Sequence, residues 1–238
     1  ERIELSASLP LIYHSNGYFD NAIEKWHDWL GLTNDRRDDF PSNHLLYQYK
    51  KNGVTQYEMT DSEGGPGDIV LSSKYQPQGW SLPGRSLAYK LDLKLPTGNA
   101  DKLTGSGAVD VSLSVHAMDR QALARFNLGM YAGAGISYLG NSDILSDMQN
   151  NVIYSAYLGS VWQFHPAFNL KGQLDVHSAF YDSELSALGT ESVALYIGGT
   201  YQPHKNLSYE LGFGENLQTD PTPDFILYFM LNYTPTDK

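Results

Sequence analysis

Thirteen charged or imidazole-bearing side chains share one parity of alternating segments: Glu4, Asp68, Lys74, Lys90, Asp92, Lys94, Asp110, His116, Arg125, Lys171, Asp175, His177 and Glu210. Successive strand side chains point to opposite faces, so this set gathers on one face and could pair, bind or conduct there. Five cations meet six anions. That balance suits cross-strand ion pairs or a weakly selective passage, because strong ion selectivity needs one dominant sign.

Catalysis and metal binding fit the sequence less well. His177 and Ser178 are neighbours but point to opposite faces of a strand, which separates a nucleophile from its base. In "LTGSGA", Thr104 stands where a nucleophile elbow requires Gly. Asp143 and Asp147 lack the ligand spacing of an EF-hand loop. His27 and Asp28, adjacent on a helix, diverge by about 100° and share no ligand. No catalytic residue, metal site or cofactor is expected.

The elements that position these residues are strands. In "LDLKLPTGNADKLTGSGAVDVSLSV", Leu91, Leu93 and Leu95 alternate with Asp92 and Lys94, and Val109, Val111, Leu113 and Val115 with Asp110, Ser112 and Ser114. One face is aliphatic and the other polar. Twelve such segments are read, over 2–11, 44–50, 54–60, 67–76, 86–95, 107–117, 122–136, 152–164, 168–180, 192–201, 207–214 and 224–233. The exception is "NAIEKWHDWLG", where Ile23, Trp26 and Leu30 recur at helical spacing ahead of Gly31. The expectation is one domain over residues 1–238.

Composition narrows the class. The 238 residues carry 16 Lys and Arg against 27 Asp and Glu, a net charge of −11, which argues against a nucleic-acid partner. Cysteine is absent, so there is no disulfide framework or thiolate metal site. No apolar run reaches the ~18 residues of a membrane helix. The 17 Tyr, 4 Trp and 22 Gly suit β structure with amphipathic rims.

Connection lengths then discriminate between a soluble sandwich and a membrane barrel. Short links over 118–121, 165–167 and 202–206 alternate with long ones over 96–106, 137–151, 181–191 and 215–223. Outer-membrane barrels have short periplasmic turns and longer extracellular loops; a soluble sandwich has no reason to keep that parity. Twelve strands also enclose more space than an aliphatic core fills. The aliphatic face is therefore read as lipid-facing, with the polar face lining a lumen. The fold class expected is all-β, a transmembrane antiparallel barrel of about 12 strands with one short helix in a long loop.

Several motifs resemble a known family when taken together. "NAIEKWHDWLGL", "SEGGPGDIVLSSKYQ", "LKLPTGNADKLTGSGAVDVSLSV", "YELGFGEN" and "PDFILYFMLNY" resemble an uncharacterised family of Gram-negative outer-membrane β-barrels. That family is similar to the outer-membrane channels associated with the phenol meta-cleavage pathway, which share the "KLPTG" hairpin. The resemblance implies an outer-membrane location and a channel for small solutes, hydrophobic ones among them. It also implies an upstream portion ahead of "ERIELSASLPLI", two further strands and a barrel of fourteen.

The chain is thus expected to act as a monomeric porin-like channel in the bacterial outer membrane, passing small solutes without catalysis. Its partners would be outer-membrane lipid, lipopolysaccharide and the solute. The lumen lining expected is Lys74, Lys90, Asp92, Lys94, Asp110, His116, Arg125, Lys171, Asp175, His177 and Glu210. Ile23, Trp26, His27, Trp29 and Leu30 form a candidate plug or gate, since long loops are often functional; a cap on the rim is the alternative. Ser160 and Gly172, paired and facing outward, mark a candidate lateral gap. Two other readings compete: a lipid-modifying outer-membrane enzyme, and a non-conducting surface scaffold or receptor.

Overall fold

A computed structural model describes residues 2–31, 41–80, 82–217 and 225–235. Its principal element is a ten-stranded antiparallel sheet. The strands are β1 (Arg2–Ser8), β6 (Ile69–Gln76), β7 (Arg85–Leu95), β8 (Asp110–Leu123), β9 (Leu128–Leu139), β10 (Val152–His165), β11 (Phe168–His177), β12 (Ser192–His204), β13 (Leu207–Asn216) and β14 (Phe225–Tyr233), neighbouring one another in that order. Between β1 and β6 the chain makes β2 (Leu11–His14), which pairs with β5 (Glu63–Pro66), and a separate hairpin of β3 (Tyr47–Lys51) and β4 (Val54–Met59). Helix α1 (Asp20–Leu30) ends at Gly31, whose φ of 71° closes it in the left-handed conformation. A single-turn helix α2 (Ser186–Gly189) lies between β11 and β12.

The expected all-β barrel architecture is what the chain adopts; the described residues hold fourteen strands, ten of them in the principal sheet where about 12 were expected. Two segments read as barrel strands, over 44–50 and 54–60, form the β3–β4 hairpin outside the principal sheet. The physical reason is length: strands of 5 and 6 residues fall short of the ~9–11 needed to cross a bilayer. Among the described residues no ladder joins β1 to β14.

Curvature follows from what the strands enclose. Met118 and Arg120 of β8 line the same cavity as Ile226, Tyr228 and Asn232 of β14, although five strands lie between them in the sheet. The sheet therefore wraps around a lumen. Long and short connections alternate as the sequence suggested: the long ones follow β7, β9, β11 and β13, and two-residue links follow β10 and β12.

Sidedness is unambiguous. The outward positions Leu113, Leu158, Leu211, Leu227 and Phe229 are each more than half exposed, whereas among the described residues buried apolar side chains are few, Ala88, Ala194 and Met59 among them. In water such a surface would forgo ~25 cal/mol for every Å² left unburied; against acyl chains it costs nothing. Its lower edge is an aromatic belt. Ring centroids run Trp162–Phe164 5.7 Å, Phe164–Phe168 6.1 Å, Phe168–Tyr201 4.6 Å, Tyr201–Tyr209 6.5 Å and Tyr209–Phe229 6.4 Å. Exposed Tyr138 and Tyr154 mark the upper edge. The eight residue steps from Tyr154 to Trp162 span about 26 Å along the strand, or about 20 Å once a ~40° tilt is allowed for, close to the ~25 Å apolar band of outer-membrane barrels.

Candidate functional site

The inward face is built of transverse rows fixed by register. Glu4, Lys74, Lys90 and Ser114 are successive partners across β1, β6, β7 and β8. His116, Gly133, Tyr157 and Asp175 form a second row across β8 to β11. Tyr131, Gly159, Gln173, Tyr196 and Gly214 form a third across β9 to β13. Tyrosines and glycines meet in these rows for a steric reason. A Cβ on Gly133 would lie 2.5 Å from Tyr157 Cε1, and one on Gly214 would lie 2.5 Å from Tyr196 Cε1. Tyr131 likewise covers Gly159, and Tyr228 covers Gly198 and Gly212. Each ring is thus laid against bare backbone, which keeps the lumen open where it would otherwise fill.

Two cavities occupy the lumen. The larger, about 770 Å3, is lined by Arg120, Tyr131, Lys171, Asp175, Tyr196, Glu210 and Tyr228 among others. The second, about 380 Å3, is lined by Lys90, Asp92, Ser114, His116, Tyr157, Asp175 and His177. Asp175 lines both, so the two cavities adjoin at this residue. A smaller cavity of about 200 Å3 beside Lys94, Asp110 and Tyr181 lies toward the long loops.

Most inward charges are neutralised by a neighbour. Lys90 Nζ lies 2.8 Å from Asp92, Lys74 lies 3.5 Å from Glu4, and Lys171 pairs with Glu210. Glu210 also accepts from the hydroxyls of Thr200 at 3.4 Å and Tyr228 at 3.5 Å. His116 is held on both sides, with Nε2 2.8 Å from Ser114 Oγ and Nδ1 2.7 Å from the Tyr157 hydroxyl. Asp175 differs. Its Oδ1 accepts from Gln173 Nε2 at 2.7 Å, and neither oxygen is ion-paired among the described residues.

The "KLPTG" hairpin has a structural role. Asp68, immediately before β6, accepts backbone N–H groups from Gly98 at 2.9 Å and Ser106 at 3.0 Å. Lys94 bridges Asp68 at 3.2 Å and Asp110 at 2.6 Å. Burial pushes the Asp68 carboxyl upward, but the two N–H groups and the Lys94 ammonium outweigh it and hold the group below the usual carboxylate range. Gly98 and Gly105 permit the fold of the loop, since a Cβ on Gly98 would lie 2.7 Å from the Gly105 Cα.

Of the expected lumen lining, Lys90, Asp92, His116, Lys171, Asp175, His177 and Glu210 border the two lumen cavities. Lys94 and Asp110 border the small loop-side cavity, and Lys74 stands opposite Lys90. Arg125 is a correction. Strand β8 continues to Leu123, and Arg125 sits in the 3-10 turn Ala124–Phe126, exposed, with its guanidinium 4.5 Å from the Phe126 ring centre. The turn expected over 118–121 lies there instead, closed by Asn127 at φ 55°.

Ser160 and Gly172 are cross-strand partners on the outward face, as expected. The ladder runs unbroken past them from Ser155↔His177 to Trp162↔Leu170, so the wall is thin there without being open. Helix α1 lies against the barrel: Trp26 packs at 6.1 Å on the ring of Phe213, an outward position of β13, and at 5.4 Å on Trp29, which is exposed. Ile23 is half-buried; His27 is buried with neither ring nitrogen hydrogen-bonded. Only the backbone of Leu30 falls within the described residues. None of the five borders a lumen cavity described above, a placement that matches the rim-cap alternative better than a plug.

The lumen tyrosines and Arg120 were not anticipated, nor was the contact of the inward Ser114 with His116. Their signal is present in "GMYAGAG" and "SAYLGSV", where Tyr and Gly share the inward parity at a spacing of two, and in "SVH", which puts Ser114 and His116 on one face.

Fold and lumen together define a transmembrane antiparallel β-barrel with a polar interior. The chain belongs to the family described as "Protein of unknown function (DUF3187)", whose model matches residues 1–234. No curated protein matches it. Among solved structures it is similar to the COG4313 outer membrane channel from Pseudomonas putida F1, at 17% identity over 80% of each chain with a TM-score of 0.58.

Proposed function

We propose that this protein is a channel of the bacterial outer membrane through which small solutes diffuse passively. The observation that carries the reading is the pair of cavities, about 770 and 380 Å3, adjoining at Asp175 inside a wall that is apolar without and polar within. Such volumes accommodate a solute of ligand size. The likeness to an outer membrane channel supports this reading, and the resemblance of the "KLPTG" hairpin to channels associated with the phenol meta-cleavage pathway makes small solutes, hydrophobic ones among them, the proposed cargo. Planar-bilayer recordings on the purified, heat-modifiable barrel test it: discrete conductance steps are expected, and silence at every voltage would make the protein a non-conducting scaffold.

One contact favours a lipid-modifying enzyme instead, Ser114 Oγ at 2.8 Å from His116 Nε2. Against it, Ser114 is laddered to Lys90 on one side and Gly135 on the other. Its backbone N–H is committed to the sheet and unavailable for an oxyanion hole, which needs free donors aimed at the reacting oxygen. Hydrolysis of phospholipid or aryl ester by wild type but not by Ser114→Ala would reverse that judgement.

A further inference from the structure

The lumen is lined with paired charges, and against that background one carboxylate, Asp175, makes no ion pair among the described residues and lines both cavities. Asp175 spends one oxygen on the neutral amide of Gln173 at 2.7 Å. Lys171, the lysine on its own strand and face, is taken by Glu210; Lys90 across the second cavity is taken by Asp92 at 2.8 Å. His177, two residues along the same face, is within electrostatic reach of Asp175 but makes no ion pair with it and gives its Nδ1 hydrogen to the Ser178 carbonyl at 2.9 Å. Arg120 borders the larger cavity and makes no ion pair among the described residues, but it stands against Gly129, whose row runs through Val161 to Lys171, four residues or about 13 Å along the strand from Asp175.

What surrounds Asp175 is aromatic. Tyr157 is its direct cross-strand partner, and such partners sit ~5 Å apart at Cβ. On the other side Asp175 faces Ala194, with Tyr196 two residues further on the same face. The Tyr131 ring lies 6.0 Å from that of Tyr157, tilted 53°. All three rings are held against glycine backbone at Gly159, Gly133 and Gly214, so they turn a face or edge into the cavity without filling it. A carboxylate with a spare oxygen, flanked by rings whose faces carry negative charge, is the arrangement that stabilises a weakly hydrated cation.

We propose that Asp175, with the rings of Tyr131, Tyr157 and Tyr196, forms a binding site for organic ammonium ions at the junction of the two lumen cavities. The assignment rests on the channel reading and names its cargo class. Small apolar groups on the cation meet the rings while the charge meets Oδ2. An uncharged molecule of the same shape gains only the ring contacts.

The test is calorimetric titration of the detergent-solubilised barrel with phenyltrimethylammonium and, separately, with its uncharged isostere tert-butylbenzene. The ammonium is expected to bind saturably and more tightly than the isostere. Asp175→Asn should weaken the ammonium by at least about tenfold and leave the isostere unchanged. Tyr131→Leu, which keeps the carboxylate, should weaken the ammonium by about threefold. Heat-modifiable gel mobility identifies the folded variants, and either one suffices. Equal binding of the two probes, or full ammonium affinity in both variants, would overturn the site. Bilayer conductance is read independently: current without ammonium binding sinks this inference alone, and binding without current sinks the channel reading alone.

Discussion

His116 Nδ1 lies 2.7 Å from the Tyr157 hydroxyl although the two residues sit on strands β8 and β10, with β9 between them. The residue of β9 in that row is Gly133, and its missing side chain is what lets the Tyr157 ring cross. The contact is therefore a property of three residues, and the middle one controls it. Gly133→Ala would place a methyl 2.5 Å from Tyr157 Cε1, displacing the ring into the lumen and breaking the bond to His116. The expected result is a loss of about 1–3 kcal/mol, as for other overpacked sites, seen as a lower urea midpoint, together with reduced single-channel conductance. Gly172→Ala is the control, because a Cβ there meets nothing within 4 Å; it should change neither.

The hairpin latch gives a pH dependence with a definite sign. Asp68 has its carboxyl held below the usual value by the Ser106 and Gly98 N–H groups and Lys94, against the upward push of burial. A group depressed in the folded state contributes stability that is complete above its unfolded value, ~3.9 for Asp, and is lost as pH falls through the folded value. The hairpin over 96–109 should therefore be indifferent to pH between 7 and about 4, and open below that. Protease cleavage within 96–109 measures the opening. Asp68→Asn should show raised cleavage already at pH 7, with a cost of about 1–3 kcal/mol for the broken hydrogen-bonded charge; equal cleavage in wild type and variant at pH 7 would refute the latch.

Lipid contact of the aliphatic face is tested by site-directed spin labels. Labels at the exposed positions Val111, Leu158 and Leu227 should be broadened by oxygen and shielded from a water-soluble nickel chelate. A label at Gln173, which borders the larger cavity, should show the reverse. Were the three outward labels accessible to the chelate in proteoliposomes, the sidedness of the barrel would be wrong.

The sequence made this sidedness readable because the side-chain period of a strand is two: once Leu113 is placed outward, Ser112 and Ser114 must point in. That rule survives only while the strand is continuous. Over "MDRQALARF" no Gly or Pro punctuates the chain, so sequence alone puts the turn six residues early and gives Arg125 a parity it does not have. The β3–β4 hairpin misled for a different reason. Its alternation is real, but alternation reports a half-buried strand and says nothing of whether the strand spans a membrane. The tyrosine–glycine rows escaped notice because they are neither charged nor apolar; only cross-strand register, which pairs Tyr131 with Gly159 and Tyr157 with Gly133, reveals that a ring needs its glycine. Asp175 was legible as an inward carboxylate, but not as one without an ion pair among the described residues, since pairing depends on partners from other strands.

Charge selectivity separates the residues that line the lumen from the one that does not. Lys171 neutralises Glu210 inside the larger cavity, and among the described residues Glu210 keeps the weak hydroxyl contacts of Thr200 and Tyr228 when that lysine is removed. Lys171→Ala therefore leaves a second uncompensated carboxylate beside the path, near Asp175. In a potassium chloride gradient the reversal potential should move toward cation preference, with the permeability ratio rising about twofold, the effect of one unit charge acting across roughly 10 Å of water. Arg125→Ala removes a cation as well, but from an exposed turn with its guanidinium over Phe126, beyond the lumen and in contact with bulk salt that screens it within about 10 Å. Its reversal potential should equal that of wild type. A shift of the same size in both variants would mean that the field of the whole molecule, and not the lining of the cavity, sets the selectivity.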